Sequence, residues 1–314
     1  MIMKNYKVEW VSIEIDTHCN LGCTMCPIGH NKVKNQGRIS LDTFEKIVKV
    51  SVGHTDKIAL AVMGEPLLHP ELPQMVAIVK KYGLNAFVWT NGMLLDEKKA
   101  KALLEAGIDK LFFSYEIINK ELHEKIRVGA DYHKVMRNLD LFLDLKKSLR
   151  PSCKVAVWNI VPDVTMSLEF SSDIKQKYHD VELYASYAMD WHGEIEVEST
   201  ETLRTKPAAC NQIKNYLSVA YNGDFISCCN DFNHEYKLGN VHDIDSLDEI
   251  WFSQQRLSLI KNMNAGTLEG IHPCQNCSAP YVKEGVQRVL HSEDKIYANK
   301  NAATKSKETQ DQAE

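Results

Sequence analysis

Nine cysteines are the side chains in this 314-residue sequence whose type and spacing most directly suggest chemistry. Three of them lie in residues 19–26, five lie in residues 210–277, and only Cys153 stands apart. An odd number leaves at least one thiol outside any scheme of disulfides, and disulfide scaffolds are usually short secreted chains. The clustering therefore indicates metal ligation.

The first group, Cys19, Cys23 and Cys26, has the spacing C-x3-C-x2-C and directly follows a β-rich run. Three thiolates on one loop can bind a four-iron cluster and leave its fourth iron open for a bidentate ligand. A zinc site with His18 or His30 as its fourth ligand is an alternative, because structural zinc prefers four protein ligands. Buried apolar cysteines are a further alternative.

The second group supplies four further candidate ligands, which are Cys210, Cys228, Cys274 and Cys277. Asn222-Gly223 is a strong hairpin signal, and a hairpin at this point returns Cys228 towards Cys210. Four thiolates gathered in this way suit either a second four-iron cluster or a zinc ion. The spacing alone does not choose between these two sites.

Short β-rich runs alternate with helical stretches over the first 190 residues. Strands are predicted at 10–16, 57–63, 85–90, 110–116, 154–161 and 181–189, and helices near 40–52, 73–82, 97–106, 120–126, 133–149 and 168–177. Helices between consecutive strands favour parallel pairing through right-handed crossovers. Six such units are too few for an eight-fold barrel, so the sequence predicts an α/β fold, a partial (β/α)6 barrel. Functional residues are then expected at the carboxyl ends of the strands.

The composition changes after the sixth predicted strand. We assign residues 1–193 to the barrel domain, 194–209 to a polar linker and 210–282 to a small α+β domain with a helix near 247–263. Residues 283–314 are expected to be a tail that is partly disordered, since 300–314 is strongly polar.

Charge and hydropathy exclude several classes of protein. The formal net charge is -5, so no basic field favours binding to nucleic acid or to an anionic membrane surface. The first ten residues lack the apolar core of a signal peptide, and no apolar run is long enough for a membrane span. The expected compartment is the cytoplasm.

Residues 8–190 resemble the radical S-adenosylmethionine (SAM) superfamily, whose signature is the cysteine loop after the first strand. The resemblance implies that Cys19, Cys23 and Cys26 hold a [4Fe-4S] cluster that binds SAM. Further family landmarks fall at the ends of the next three strands. The SAM contacts that the resemblance implies are Met25, Gly64, Glu65, Pro66, Asn91, Ser114 and Glu116. Two of these landmarks depart from the family pattern, because Met63 stands where a glycine is usual and Glu116 where aspartate is commoner.

The second cysteine group resembles the SPASM/Twitch extension of radical SAM enzymes, as does the stretch at 238–251. The sequence has no cysteine after Cys277, which is typical of the shorter Twitch form with one auxiliary [4Fe-4S] cluster. The resemblance implies that the four cysteines of this group are its ligands. Full ligation leaves no iron open for substrate, which favours a role in electron transfer or in structure.

The resemblance also implies a reaction type. Reductive cleavage of SAM gives a 5'-deoxyadenosyl radical that abstracts a hydrogen atom from a sugar, a cyclitol or a peptide. The substrate radical is then oxidised (net dehydrogenation) or receives a hydrogen atom from a thiol (epimerisation). The electron that starts the reaction is expected from an external donor such as flavodoxin or ferredoxin.

Cys229, next to a predicted ligand, is the candidate hydrogen-atom donor. Its alternative roles are a buried thiol or a replacement ligand. Asp190 and His192 are candidate substrate contacts, and Cys153 is expected to be structural. Two alternatives stay open for the whole protein: a maturase that cross-links a peptide, and a non-catalytic module that binds zinc or iron–sulfur clusters.

Overall fold

A computed structural model describes residues 6–117, 119–162, 169–196 and 210–277, together with the backbone of 289–291. Ten strands form one sheet in the order β10-β6-β5-β4-β3-β2-β1-β7-β8-β9. The strands are β1 Val11–Ile13, β2 Lys57–Leu60, β3 Asn85–Thr90, β4 Lys110–Ser114, β5 Lys154–Val161, β6 Glu182–Tyr187, β7 Leu217–Val219, β8 Asp224–Ile226, β9 Lys237–Asn240 and β10 Val289–His291.

The first six strands are parallel and lie in sequence order, as the βα alternation predicts. Six helices separate or follow them: α1 Leu41–Ser51, α2 Leu72–Lys81, α3 Glu97–Ala106, α4 Lys120–Ile126, α5 Tyr132–Leu149 and α6 Ser172–Lys177. The sheet does not close on itself, which confirms the predicted partial barrel. The carboxyl ends of β1 to β6 therefore share one rim.

The α1 helix shows how the sequence produces this layer. Ser40 caps it, because its hydroxyl accepts a hydrogen bond from the Thr43 backbone amide at 3.2 Å. Phe44, Ile47 and Val48 recur at helical spacing and are fully buried against the sheet. The helix therefore covers the outer face of the sheet and leaves the inner face to the site.

The strands of the C-terminal part continue the same sheet. β7 pairs in parallel with β1, and β8 and β9 follow in antiparallel pairing. The predicted hairpin at Asn222-Gly223 is confirmed, and Gly223 adopts the left-handed φ of +88° that its turn requires. The second cysteine group is thereby attached to the strand that leads into the first.

Three helices belong to this part: α7 Asn211–Asn215, α8 Leu247–Trp251 and α9 Gln254–Ala265. The prediction of one helix near 247–263 is wrong. The chain breaks after α8, and Ser253 starts a new helix by accepting a hydrogen bond from the Arg256 backbone amide. A serine within an apolar-periodic stretch therefore acts as a cap and not as an interior helical residue.

Some predicted segments lie outside the described residues, including most of the linker (197–209) and 292–314. Within the tail assigned to 283–314, Val289–His291 forms β10, antiparallel to β6. Among the described residues, no helix has the length and apolar character needed to cross a membrane.

Candidate active site and cluster-binding loops

The first cysteine loop leaves the carboxyl end of β1 and ends at a 3-10 turn, Pro27–His30. The residues on either side of Cys23 are tied to the chain after α4: Gly22 donates its amide to the Val128 carbonyl at 2.9 Å, and Thr24 donates to the Ile126 carbonyl at 2.8 Å. These bonds fix the middle of the loop on the rim of the sheet.

The three thiols of this loop face one another. Burial, together with the neighbouring thiols of the loop, raises the pKa of Cys19 to about 11 and that of Cys26 to about 12. As thiolates these groups would repel one another. The convergence fits an iron–sulfur cluster, whose irons bind thiolates and offset their mutual repulsion.

An apolar shell surrounds this loop. Leu21, Cys23, Met25, Ile126 and Ala188 form one buried cluster. The Met25 carbonyl accepts a hydrogen bond from the Trp191 indole at 2.7 Å, which joins the loop to the segment after β6. Reactive intermediates at such a site are shielded from water.

Gly64 brings the end of β2 against the base of the cysteine loop. Its φ is +80°, and a Cβ at this position would lie 1.8 Å from the Asp16 carbonyl oxygen. Glu65 then donates its amide to the His18 carbonyl at 2.8 Å. Only glycine fits, so this backbone is held beside the cysteine loop.

The Glu65 carboxylate lies inside the protein. It accepts hydrogen bonds from the Thr90 hydroxyl at 2.6 Å and from the backbone amides of Asn91 and Leu67 at 2.8 and 3.0 Å. Burial raises its pKa, and these hydrogen bonds oppose the shift. The Glu65 side chain therefore links the end of β2 to the end of β3. The backbone of Gly64 and Glu65, and not the Glu65 carboxylate, is the part of the motif nearest the cysteine loop.

Asn91 is a landmark that contacts a predicted cluster ligand. Its amide nitrogen lies 3.8 Å from the Cys19 sulfur and 3.0 Å from the Asn20 side-chain oxygen. The Met93 backbone amide donates to the Asn91 side-chain oxygen and fixes the orientation of the amide. Ser114 ends β4 on the same rim and is half-buried.

Glu116 is placed differently from its prediction as a SAM contact. Its side chain is fully buried and forms a two-point ion pair with Arg127, with N–O distances of 2.6 and 2.7 Å. Burial favours the neutral acid, but Arg127 and His123 hold the pKa of Glu116 below its usual range. Both carboxylate oxygens are therefore engaged by Arg127 within the protein, and the role of Glu116 as a SAM contact stays a prediction. Sequence reasoning missed Arg127, because no motif marks a single arginine after a helix.

The four predicted ligands of the second group line one cavity. Cys210 lies at the start of α7, Cys228 follows β8, and Cys274 and Cys277 bound a 3-10 turn. Burial raises the pKa of Cys228 well above its usual value, and the other three predicted ligands and Cys229 raise it further. Ile213, Leu259 and Met263 complete the wall. The donor set and its apolar surroundings fit a second iron–sulfur cluster.

Among the described residues, no group of three or more His, Cys, Asp or Glu side chains is arranged for a single metal ion.

Cys229 is half-buried and its sulfur lies near two polar residues that line the four-cysteine cavity. Its sulfur lies 3.9 Å from the Gln212 side-chain oxygen and 3.7 Å from that of Asn230. Cys153 is buried before β5, where its thiol donates to the Lys154 carbonyl.

A cleft of about 360 Å³ lies between the two cysteine loops, and we call it the inter-loop cleft. His192 lines both the inter-loop cleft and the four-cysteine cavity. Burial lowers the pKa of His192 to about 4, so its imidazole is neutral. Trp191, His192 and Gly193 all have positive φ, a strained backbone that is common at functional sites. The other lining residues are Asn31, Lys32, Lys34, Glu194, Asp231, Phe232, Asn233, Glu235, His272, Pro273 and Asn276.

Comparison with known proteins identifies the family. The sequence matches the radical SAM superfamily over residues 13–158 and an iron–sulfur cluster-binding (SPASM) domain over residues 210–278. The chain belongs to the radical SAM superfamily and carries a C-terminal SPASM domain. The cofactors that this superfamily and this domain imply are SAM and iron–sulfur clusters.

Two curated proteins and one solved structure illustrate its similarities. A "tungsten-containing aldehyde ferredoxin oxidoreductase cofactor-modifying protein" from Pyrococcus furiosus is 34% identical over 35% of this chain and 32% of its own length. An "S-adenosyl-L-methionine-dependent 2-deoxy-scyllo-inosamine dehydrogenase" from Niallia circulans is 22% identical over 85% of this chain and 92% of its own. The structure of "BtrN in complex with AdoMet and 2-DOIA" has a TM-score of 0.61 at 18% identity, covering 90% of this chain and 98% of the other.

The matched lengths differ between these relatives. The chain spans less than half of the length of the first three curated relatives, which are matched over 32%, 41% and 45% of their own lengths. The similarity to BtrN shows the fold.

Proposed function

We propose that this protein is a radical SAM dehydrogenase that oxidises a hydroxyl-bearing carbon of a cyclitol or sugar. The observation that carries the proposal is the cavity lined by Cys210, Cys228, Cys274 and Cys277. Four thiolates satisfy all four irons of a cluster, so this site has no open iron for a substrate. A fully ligated cluster suits the removal of an electron from a substrate radical.

The group bound at the first loop supplies the hard chemistry, which is reductive cleavage of SAM to a radical that abstracts hydrogen. The protein holds and shields that group. Cys19, Cys23 and Cys26 bind it, Asn91 contacts the loop, and Gly64 allows the neighbouring backbone to approach. The apolar side chains around the loop exclude water. The electron that starts each turnover comes from an external donor, flavodoxin or ferredoxin.

The substrate class rests on similarity and on the aromatic inner face of the sheet. The relative matched over most of both chains is named for dehydrogenation of 2-deoxy-scyllo-inosamine. Below the rim, the rings of Trp89 and Phe112 stack at 3.9 Å, and those of Trp158 and Tyr184 at 5.4 Å. Flat apolar walls with a few polar groups suit a small ring-shaped molecule.

The inter-loop cleft is the proposed entrance for the polar part of the substrate. It lies between the cysteine loops and offers cationic, anionic and amide groups, including Lys34, Glu235 and Asn276. His192 is the proposed substrate contact in it, because its ring lines the cleft and is held against Phe232 in a parallel stack.

The proposal is tested with the anaerobically reconstituted holoenzyme, SAM and a reductant in deuterated water. The probes are 2-deoxy-scyllo-inosamine and a panel of related cyclitols and sugars. We expect a product two mass units lighter than its substrate, formed in equal amount with 5'-deoxyadenosine and free of solvent deuterium. A product of unchanged structure except for one inverted centre and one solvent deuterium would contradict oxidation and indicate epimerisation.

If SAM is cleaved and no member of the panel is converted, the cyclitol and sugar class is wrong. A peptide substrate, including one that is cross-linked, is then the next class to test. The Cys229→Ala variant is included in each assay, since Cys229 remains the predicted donor for epimerisation.

A further inference from the structure

A buried arginine lies against the loop of the first cysteine group. Arg127 follows α4 and is only 5% exposed. The carbonyls of Ile126 and Val128, its two neighbours, bind the amides of Thr24 and Gly22. These two backbone hydrogen bonds flank residues 23 and 127, so Arg127 lies opposite Cys23 and its positive charge acts on the Cys23 thiol.

The guanidinium is held in one orientation by Glu116. Its Nε donates to one carboxylate oxygen at 2.6 Å and its Nη2 donates to the other at 2.7 Å. A guanidinium carries five N–H groups, so this pairing leaves three for other acceptors. Glu116 thus fixes the fork of Arg127 while leaving donors for the Cys23 sulfur.

Glu116 is itself fixed by two separate elements. His123 on α4 lies 2.9 Å from its Oε2, and the Ile160 amide on β5 donates to its Oε1 at 3.2 Å. Glu116 and His123 are fully buried. The position of the guanidinium is therefore set by the sheet and by α4, in surroundings where solvent screens a hydrogen bond weakly.

We propose that Arg127 is a positioning residue that raises the reduction potential of the SAM-binding cluster by donating a charged hydrogen bond to its ligand Cys23. Hydrogen bonds to the sulfurs are among the factors that set the potential of an iron–sulfur cluster. The role of Glu116 is to hold Arg127, which explains a buried acid at the end of β4. The inference concerns how readily the cluster accepts one electron from a donor, and it does not depend on the substrate or on its oxidation.

The test is a redox titration of the reconstituted holoenzyme, monitored by electron paramagnetic resonance. The SAM-binding cluster is recognised as the one whose signal changes when SAM is added. Arg127→Lys keeps the positive charge but loses the planar guanidinium with its several N–H donors. At a fixed potential, we expect the ratio of reduced to oxidised cluster to be about tenfold lower in this variant. For a one-electron couple this is a shift of about 59 mV to more negative values.

If Arg127→Lys does not bind its iron–sulfur cluster, a second variant tests the same proposal. Glu116→Asp retains both charges but shortens the side chain that anchors Arg127, and we expect a shift in the same direction and smaller. Arg256→Lys is the matched control, since Arg256 is also buried but donates to the carbonyls of Ile213 and Trp251. Its SAM-binding cluster keeps the wild-type potential.

Two results would overturn the proposal. The first is an unchanged potential with a weaker dissociation constant for SAM, which would make Arg127 a SAM ligand. The second is an unchanged potential with unchanged SAM affinity and a lower melting temperature, which would make Arg127 and Glu116 a structural ion pair.

Discussion

Cys19, Cys23 and Cys26 lie on one short loop, whereas Cys210, Cys228, Cys274 and Cys277 come from three separate elements of the C-terminal part. The first loop is held by backbone hydrogen bonds to residues 126–128 and by the close approach of Gly64. The second set converges only because β7 and β8 extend the barrel sheet. Three ligands leave an iron open for a cofactor, and four ligands do not. In the proposed function, this difference in ligand number separates a site that binds SAM from one that passes electrons.

Removal of one ligand from the second group tests this separation most strongly. In Cys274→Ala we expect retained SAM cleavage and no oxidised product, because the auxiliary site loses its fourth thiolate and its cluster is no longer fully ligated. The measurements are iron content, 5'-deoxyadenosine and product by mass spectrometry. Cys153→Ala removes a buried thiol outside both groups and is expected to keep full iron and activity. If Cys274→Ala forms as much oxidised product as the wild type, the two cysteine groups do not have the separate roles proposed here.

The close approach of Gly64 is expected to matter next. Gly64→Ala places a methyl group 1.8 Å from the Asp16 carbonyl and forces the end of β2 away from the cysteine loop. We expect SAM affinity to fall at least about tenfold, a loss of about 1.4 kcal/mol. Gly53→Ala is the matched control, since Gly53 has φ +81° but nothing within 4 Å. In Gly53→Ala, the strain of a left-handed backbone at alanine lowers the free energy of unfolding by about 1 kcal/mol, and SAM binding is unchanged. Equal SAM affinities for the two variants would contradict this account of Gly64.

Substitution of Glu65, which links the ends of β2 and β3, is expected to have a smaller effect, and the effect is on stability. Glu65→Gln keeps one accepting oxygen and places an NH2 group at the other position, against either the Asn91 amide or the donors of Thr90 and Leu67, so at least one buried donor is left unsatisfied. We expect the free energy of unfolding to fall by about 2 kcal/mol. Thermal and denaturant unfolding of the protein measure it. Glu97→Gln, in an exposed pair with Lys101, is expected to change it by less than about 0.5 kcal/mol. A comparable loss in both variants would show that the Glu65 hydrogen bonds contribute little.

The smallest expected effect is at Cys229. If the enzyme is a dehydrogenase, Cys229→Ala retains the iron content and the rate of product formation, because no hydrogen atom is returned to the substrate. The assay is product formation in deuterated water. A variant that still cleaves SAM but forms no product, or a substrate that exchanges deuterium only in the wild type, would place Cys229 in the chemistry.

Much of this comparison follows from local sequence. The spacing of the first group, the strand-end positions of Gly64 and Asn91, and the βα alternation are all short-range patterns, and the structure places them on one rim. The hairpin at Asn222-Gly223 likewise follows from turn chemistry.

The remainder depends on tertiary packing. Nothing near Glu116 in the sequence shows that Arg127 takes both of its oxygens, because their pairing depends on how α4 returns to the sheet. The parallel pairing of β7 with β1 joins residues about 200 positions apart, and loop composition does not encode such a contact. The inter-loop cleft is likewise built from four distant segments.

The central claim, that the three-cysteine site cleaves SAM and the four-cysteine site does not, has one direct measurement. Anaerobically reconstituted protein is incubated with SAM and dithionite, and 5'-deoxyadenosine is quantified beside a Cys19/Cys23/Cys26→Ala triple variant. The account predicts 5'-deoxyadenosine from the wild type and none from the triple variant, which still binds about half of the iron. No 5'-deoxyadenosine from fully loaded wild type, or its release by the triple variant, would contradict the account.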